Sequence, residues 1–257
     1  MIPVIPWYIT LIVIATNVGA AVAVWSVLSR AAGRSGLKPG AQRRFRIGSG
    51  VFLGAWLGAV LLFAPAPSSV LTADPLAVTP VIPLFVVASS ATVLLLLWRS
   101  PGARQVLGAV PLPARHGVQV YRIIGVVFLI LLAQRQLPAH FALPAGWGDM
   151  VVGLTAPLVG LALARRAHGA RAMAIAWNVF GVVDLIVAVG MGTGVLAPLL
   201  FPQMGFPVPP APAMGIFPMI LVPTFAVPLS IFMHLFALGG LLRGARIGAR
   251  LTPAAAR

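Results

Sequence analysis

The sequence predicts an all-α, polytopic membrane protein with seven transmembrane helices, its N-terminus outside and its C-terminus in the cytoplasm. Three observations carry that prediction. Only 8% of the 257 residues are charged while 60% are hydrophobic, and the mean hydropathy is +1.03; a soluble globule carries roughly a quarter of charged residues. The apolar runs are long and lack period-two alternation, which favours helices that satisfy their own backbone groups over a β-barrel. The basic residues fall in short connectors, six, four, three and four on alternate connectors of one side against Arg135 alone on the other. The positive-inside rule makes the richer side cytoplasmic.

A net charge of +15 would suggest nucleic acid in a soluble chain, but topology accounts for it here, and the partner it implies is anionic lipid headgroups on the cytoplasmic side of a bacterial cell membrane. The chain has no cysteine, which removes disulfides, thiolate metal sites and cysteine nucleophiles. No connector is long enough for a soluble domain, so residues 1–257 form one bundle, alone, in homo-oligomers or beside a membrane partner.

The first run, about Ile5 to Leu28, exceeds a signal-peptide core and reads as a retained helix. A connector with Arg30, Arg34, Lys38, Arg43, Arg44 and Arg46 leads to a second span, Ile47 to Ala64, ended by Pro65 and Pro67. Asp74 lies in the next connector. The third span, Val78 to Trp98, starts beside Pro80 and Pro83, where proline suits a helix start. Arg99, Arg104, Arg115 and His116 precede the fourth span, Val118 to Leu137. Tyr121 and Arg122 fall in its first turn and read as interface anchors, the arginine snorkelling to the headgroups.

A loop with Pro138, His140 and Pro144 precedes the fifth span, Trp147 to Ala164, and a basic turn with Arg165, Arg166, His168 and Arg171 leads to the sixth, Ala172 to Met191. The proline-rich stretch 192–215 reads as an apolar cap on the bundle. The seventh span, Ile216 to Leu242, contains Pro218, Pro223 and Pro228 and must be kinked or broken. One short repeat stands out: Phe45-Arg46-Ile47 recurs as Tyr121-Arg122-Ile123.

The chain has three acids, so the two inside spans command interest. At about 1.5 Å per residue, Asp184 lies roughly 10 Å below the outer boundary and Asp149 roughly 3 to 7 Å below it. An ionised carboxylate at the depth of Asp184 costs at least about 2.5 to 3.5 kcal/mol, so it must be paired, hydrated or protonated. Its roles are a proton- or cation-handling group or a hydrogen-bond acceptor that joins helices. Asp149 reads equally as a first-turn cap. Arg135, His140, Trp147 and Thr224 fall at or near the same level and complete the candidate ion- or substrate-binding set.

Pro157, Pro218, Pro223 and Pro228 free the carbonyls of Gly153, Met214, Met219 and Thr224, and broken helices use such groups to coordinate ions. Asn17 reads as interhelical glue. His234 and His140 sit near opposite ends, roughly 28 Å apart, too far to share a haem; His116 and His168 read as solvated. The only lysine is Lys38, in a connector, so no retinal Schiff base forms in the bundle. No catalytic triad or phosphate loop appears, and no cofactor is implied.

Tyr121 to Val189, with Leu137-Pro138, Ala142 to Asp149 and Trp177-Asn178 ahead of Asp184, resembles uncharacterised bacterial multi-helix integral membrane proteins with an Ala-Leu-Pro-Ala-Gly-Trp-Gly-Asp segment. The run from Val222 to Leu229 before His234 is similar to the same group. The resemblance implies a membrane bundle and no particular activity. Function is therefore expected to be proton- or cation-linked small-solute transport through an outward-facing polar pocket at Asp149 and Asp184. The alternatives are a membrane-embedded enzyme with a metal held by His140, Asp149 and Asp184, and a non-catalytic subunit or assembly factor.

Overall fold

A computed structural model describes residues 5–64, 81–193 and 211–251. Asp74 and most of the proline-rich stretch read as a cap lie outside the described residues. Those described form helices and no strand. Six are long and apolar enough to cross a membrane, or up to seven spans if a bent pair is counted as one.

Helices α1 (Trp7–Arg34) and α2 (Pro39–Phe63) form an antiparallel hairpin. Ser35 terminates α1 by donating its hydroxyl to the Ala32 carbonyl at 2.7 Å, and proline opens α2, where the missing N–H costs nothing. Helix α3 (Val81–Arg99) breaks into α4 (Pro101–Gly108) with a bend of 99°. The Ser100 hydroxyl caps α4 by accepting from the Ala103 N–H at 3.1 Å.

The span Leu112–Ala133 runs through α5 (Leu112–Gly117), a tighter 3₁₀ stretch (Val118–Gly125) and α6 (Val126–Ala133). Helix α7 (Ala139–Ala164) returns beside it, and α8 (Ala170–Gly192) follows a turn closed by Gly169 at φ +71°. A π-helical turn (Val222–Ala226) leads into α9 (Val227–Leu251), as the three prolines of this span require. The 112–133 span and the 222–243 span are the most buried and form the centre of the bundle.

Two boundaries correct the sequence expectation. The fourth span begins at Leu112, because Pro111 and Pro113 start a helix rather than prevent one. The fifth begins at Ala139 after Pro138 and carries Pro144 inside it; a membrane helix tolerates such a proline because neighbouring elements accommodate the freed carbonyl. Arg122 and Asp149 consequently leave their expected first turns and lie roughly 15 Å into their spans.

Candidate functional site

At that depth the site assembles around Arg122, which is 2% exposed. Its Nε donates to Asp149 Oδ1 at 2.6 Å, and its Nη2 donates to Asp184 Oδ2. Its Nη1 donates to His234 Nε2 at 2.9 Å and to the Gly181 carbonyl at 3.5 Å. One guanidinium from the 3₁₀ stretch thus gathers side chains from α7, α8 and α9. Neither carboxylate is an N-cap, since Pro138 precedes α7 and Gly169 precedes α8, neither with a side-chain cap. Snorkelling is ruled out for Arg122, and Tyr121 is buried too, its hydroxyl 2.9 Å from Ser230 Oγ.

The hydrogen bonds continue beyond the arginine in a fixed direction. Because Arg122 can only donate, His234 Nε2 accepts, and its Nδ1–H donates to Asn178 Oδ1 at 3.0 Å. Asn178 Nδ2 donates to the Ala174 carbonyl at 2.6 Å and to His116 Nε2 at 2.8 Å. His116 Nδ1–H ends the series on the Leu112 carbonyl at 2.7 Å. Both imidazoles are therefore neutral and in the same tautomer. His116, read from sequence as solvated, is fully buried, and His234 lies mid-span rather than near a helix end. Gln119, also fully buried, places Nε2 3.4 Å from His234 Nδ1.

Close backbone approach makes this packing possible. A Cβ on Gly148 would overlap the Asp184 carboxylate, one on Gly181 would overlap the His234 ring, and one on Gly125 would press on Asp149 Cβ. Glycine is needed here for the room it leaves. On the side away from the arginine-rich connectors, Asp149 lines a cavity of about 70 Å³ with Phe141, Thr193 and Met214 among its walls. A cavity of that size has room for about two waters.

The other expected site residues are not brought to this centre. Arg135 is exposed in the turn after α6 at φ 59°. Trp147 is 56% exposed on the outer face of α7. His140 opens α7, roughly 14 Å along the helix from Asp149, and its buried Nε2 has no hydrogen-bond partner among the described residues. Thr224 is fully buried and donates its hydroxyl to the Ile220 carbonyl at 2.5 Å. Its own carbonyl, freed by Pro228, accepts from Trp56 Nε1 at 3.0 Å, so it joins helices and faces no ion.

The Met219 carbonyl, freed by Pro223, likewise accepts from the Val222 N–H at 3.0 Å. Asn17 donates to Val13 of its own helix at 2.8 Å, so it is no interhelical link among the described residues. His140, Asp149 and Asp184 do not converge, and among the described residues no group of three or more histidines and acids could hold a metal. The enzyme alternative loses its proposed ligand set.

Arg122, His234, Asn178 and His116 are the residues that sequence reasoning missed. The available signal is the charge balance: two buried acids require a cation at their own depth, and Arg122 is the one arginine that the sequence puts inside a span.

A family model described as Domain of unknown function (DUF8737) matches residues 79–242, and the chain belongs to that family. The whole network lies within the matched residues. Neither the curated proteins nor the solved structures give a match.

Proposed function

We propose that this member of the family is a proton-linked permeation protein of a bacterial cell membrane, its N-terminus outside and its C-terminus cytoplasmic, in which Asp149 and Asp184 take up and release one proton beside Arg122. The observation that supports this reading is the charge of the cluster. One guanidinium faces two carboxylates while both histidines are neutral, so two ionised acids leave one uncompensated negative charge in the bundle interior. Such a charge is costly in low dielectric, and one proton or one monovalent cation removes it. The cavity at Asp149 supplies access from the side opposite the arginine-rich connectors, which the charge asymmetry makes the outside.

The hydrogen-bonded series on the other side conducts no proton. Arg122 does not give up its proton and the Asn178 amide does not ionise, so neither passes a proton along, and the His234 and His116 rings hold the arginine in place. Proton exchange then proceeds from the cavity side, and passage to the other side requires the cluster to rearrange.

The test is flux into proteoliposomes holding a pH-sensitive dye. Wild-type protein should carry protons under an imposed gradient, and Asp184→Asn, which keeps the shape and removes the titrating group, should abolish the flux. Equal flux through Asp184→Asn would overturn the reading. The competing reading is a non-catalytic bundle, favoured by the same network tying four spans together. It predicts no flux from wild-type protein and loss of folded protein in the variant.

A further inference from the structure

Away from the charged cluster the bundle contains a second, partly open cavity, of about 370 Å³, lined by α1, α2, α3, α4 and α9. That volume falls in the usual range of ligand pockets, roughly 300 to 1,000 Å³. Its wall is hydrocarbon and aromatic, and the polar groups on it are engaged elsewhere. Ser49 donates to the Arg46 carbonyl at 3.1 Å, Ser100 accepts from the Ala103 N–H, and the Trp56 indole N–H is bound to the Thr224 carbonyl. A sugar, nucleotide or hydrated ion would find no partner here. An alkyl chain would recover the dispersion contacts that a void of this size forfeits.

Exposed arginines stand beside this wall. Arg46 follows wall residue Phe45 and donates Nε to the carbonyl of Ser29, next to wall residue Leu28, at 3.2 Å; Arg104 follows wall residue Ala103, and Arg43, Arg44 and Arg99 are exposed as well. Arg104 is braced by donating Nη1 to the carbonyls of Leu97, at 2.5 Å, and Trp98, at 2.7 Å, and Leu97 is itself a wall residue. Behind the wall Arg115, 5% exposed, donates to the carbonyls of Val110, Phe236 and Leu107 at 3.0, 3.1 and 3.3 Å. Its guanidinium lies 3.9 Å from the Phe236 ring, and all three of those residues line the cavity. Among the described residues no acid pairs with Arg46, Arg104 or Arg115.

We propose that this cavity is a binding site for one acyl chain of an anionic membrane glycerophospholipid, whose phosphate is held at the rim by Arg46 and Arg104. The apolar wall sets the chemistry of the tail and the unpaired arginines set the charge of the head. An anionic surface attracts each nearby arginine with an energy that corresponds to about a five-fold preference, so discrimination between anionic and zwitterionic lipids should be at least about five-fold. This inference stands independently of the proton reading.

The experiment uses the full chain in vesicles with a trace of phosphatidylglycerol or phosphatidylcholine, each with a diazirine on one acyl chain. After photolysis, labelled residues are mapped by mass spectrometry. The anionic probe should label wall residues of α2 and α3 at least about five-fold more than the zwitterionic probe. Val93→Trp, which fills the cavity from α3, should suppress that labelling, and the double variant Arg46→Ala with Arg104→Ala should remove the headgroup preference. If Val93→Trp does not fold, competition on wild-type protein decides: unlabelled phosphatidylglycerol should displace the probe and phosphatidylcholine should not. Equal labelling by both probes, labelling confined to the outer surface, or full labelling of folded Val93→Trp would each overturn the proposal.

Discussion

The residues before and after position 110 solve the same solvent problem in opposite ways. From α1 to α4 the helices are apolar and, together with α9, line a 370 Å³ cavity, with no ion pair among the described residues. From Leu112 to Arg243 the spans carry the buried charges, and glycines bring backbone against side chain until no further carbon fits. The difference teaches that packing tightness here follows polarity. Hydrocarbon surfaces lose little when a lipid tail replaces a protein neighbour, whereas a buried charge needs its partners within hydrogen-bond distance.

The largest effect should come from the centre of the tight region. Arg122→Met leaves two carboxylates and the His234 nitrogen without their donor, and removing one partner of a buried ion pair costs about 3 to 5 kcal/mol. Folded yield and thermal unfolding in detergent should fall sharply. Adding Asp149→Asn and Asp184→Asn to the Met variant should restore part of the loss, because it removes the stranded charges. Failure of the triple variant to recover would mean that the arginine acts through packing alone.

Glycine replacements sharpen the comparison at intermediate magnitude. In Gly148→Ala the new methyl collides with the Asp184 carboxylate, and overpacking of this kind costs about 1 to 3 kcal/mol. In the loose region Gly54 has nothing within 4 Å of the position a Cβ would take. Gly54→Ala should therefore be neutral or stabilising by up to about 1 kcal/mol through helix propensity. Equal losses at the two sites, measured as shifts in melting temperature, would show that the two regions do not differ in packing.

The sequence carried the class of the molecule and the two acids that matter, because composition, apolar run length and carboxylate depth are all local quantities. The partner of those acids was hidden by a boundary. The residues before Val118 read as connector, which puts Arg122 near the membrane surface, and the loop with Pro138 and Pro144 likewise puts Asp149 too far outward. The repeat of Phe45-Arg46-Ile47 as Tyr121-Arg122-Ile123 makes the limit concrete. Arg46 is exposed and Arg122 is buried, although neighbouring residues match, because Gly148 and Gly181 allow α7 and α8 to close over Arg122, whereas Arg46 rests on α1 through the Ser29 carbonyl and stays exposed. Only tertiary contact distinguishes them.

The smallest expected effects test the edge of the site. Level along the helices alone puts Arg135 and Trp147 near the acids, yet the structure turns both outward. Arg135→Ala and Trp147→Leu should each change stability by no more than about 0.5 kcal/mol, as surface substitutions do, and should leave proton flux where wild-type protein sets it. His234→Ala is the internal control. It strips an acceptor from Arg122 and a donor from Asn178, for about 1 to 3 kcal/mol, without touching either carboxylate. Flux lost in His234→Ala and retained in Trp147→Leu would place the working boundary at the residues that touch the guanidinium. The reverse pattern would move it to the surface, where depth along the helix had first put it.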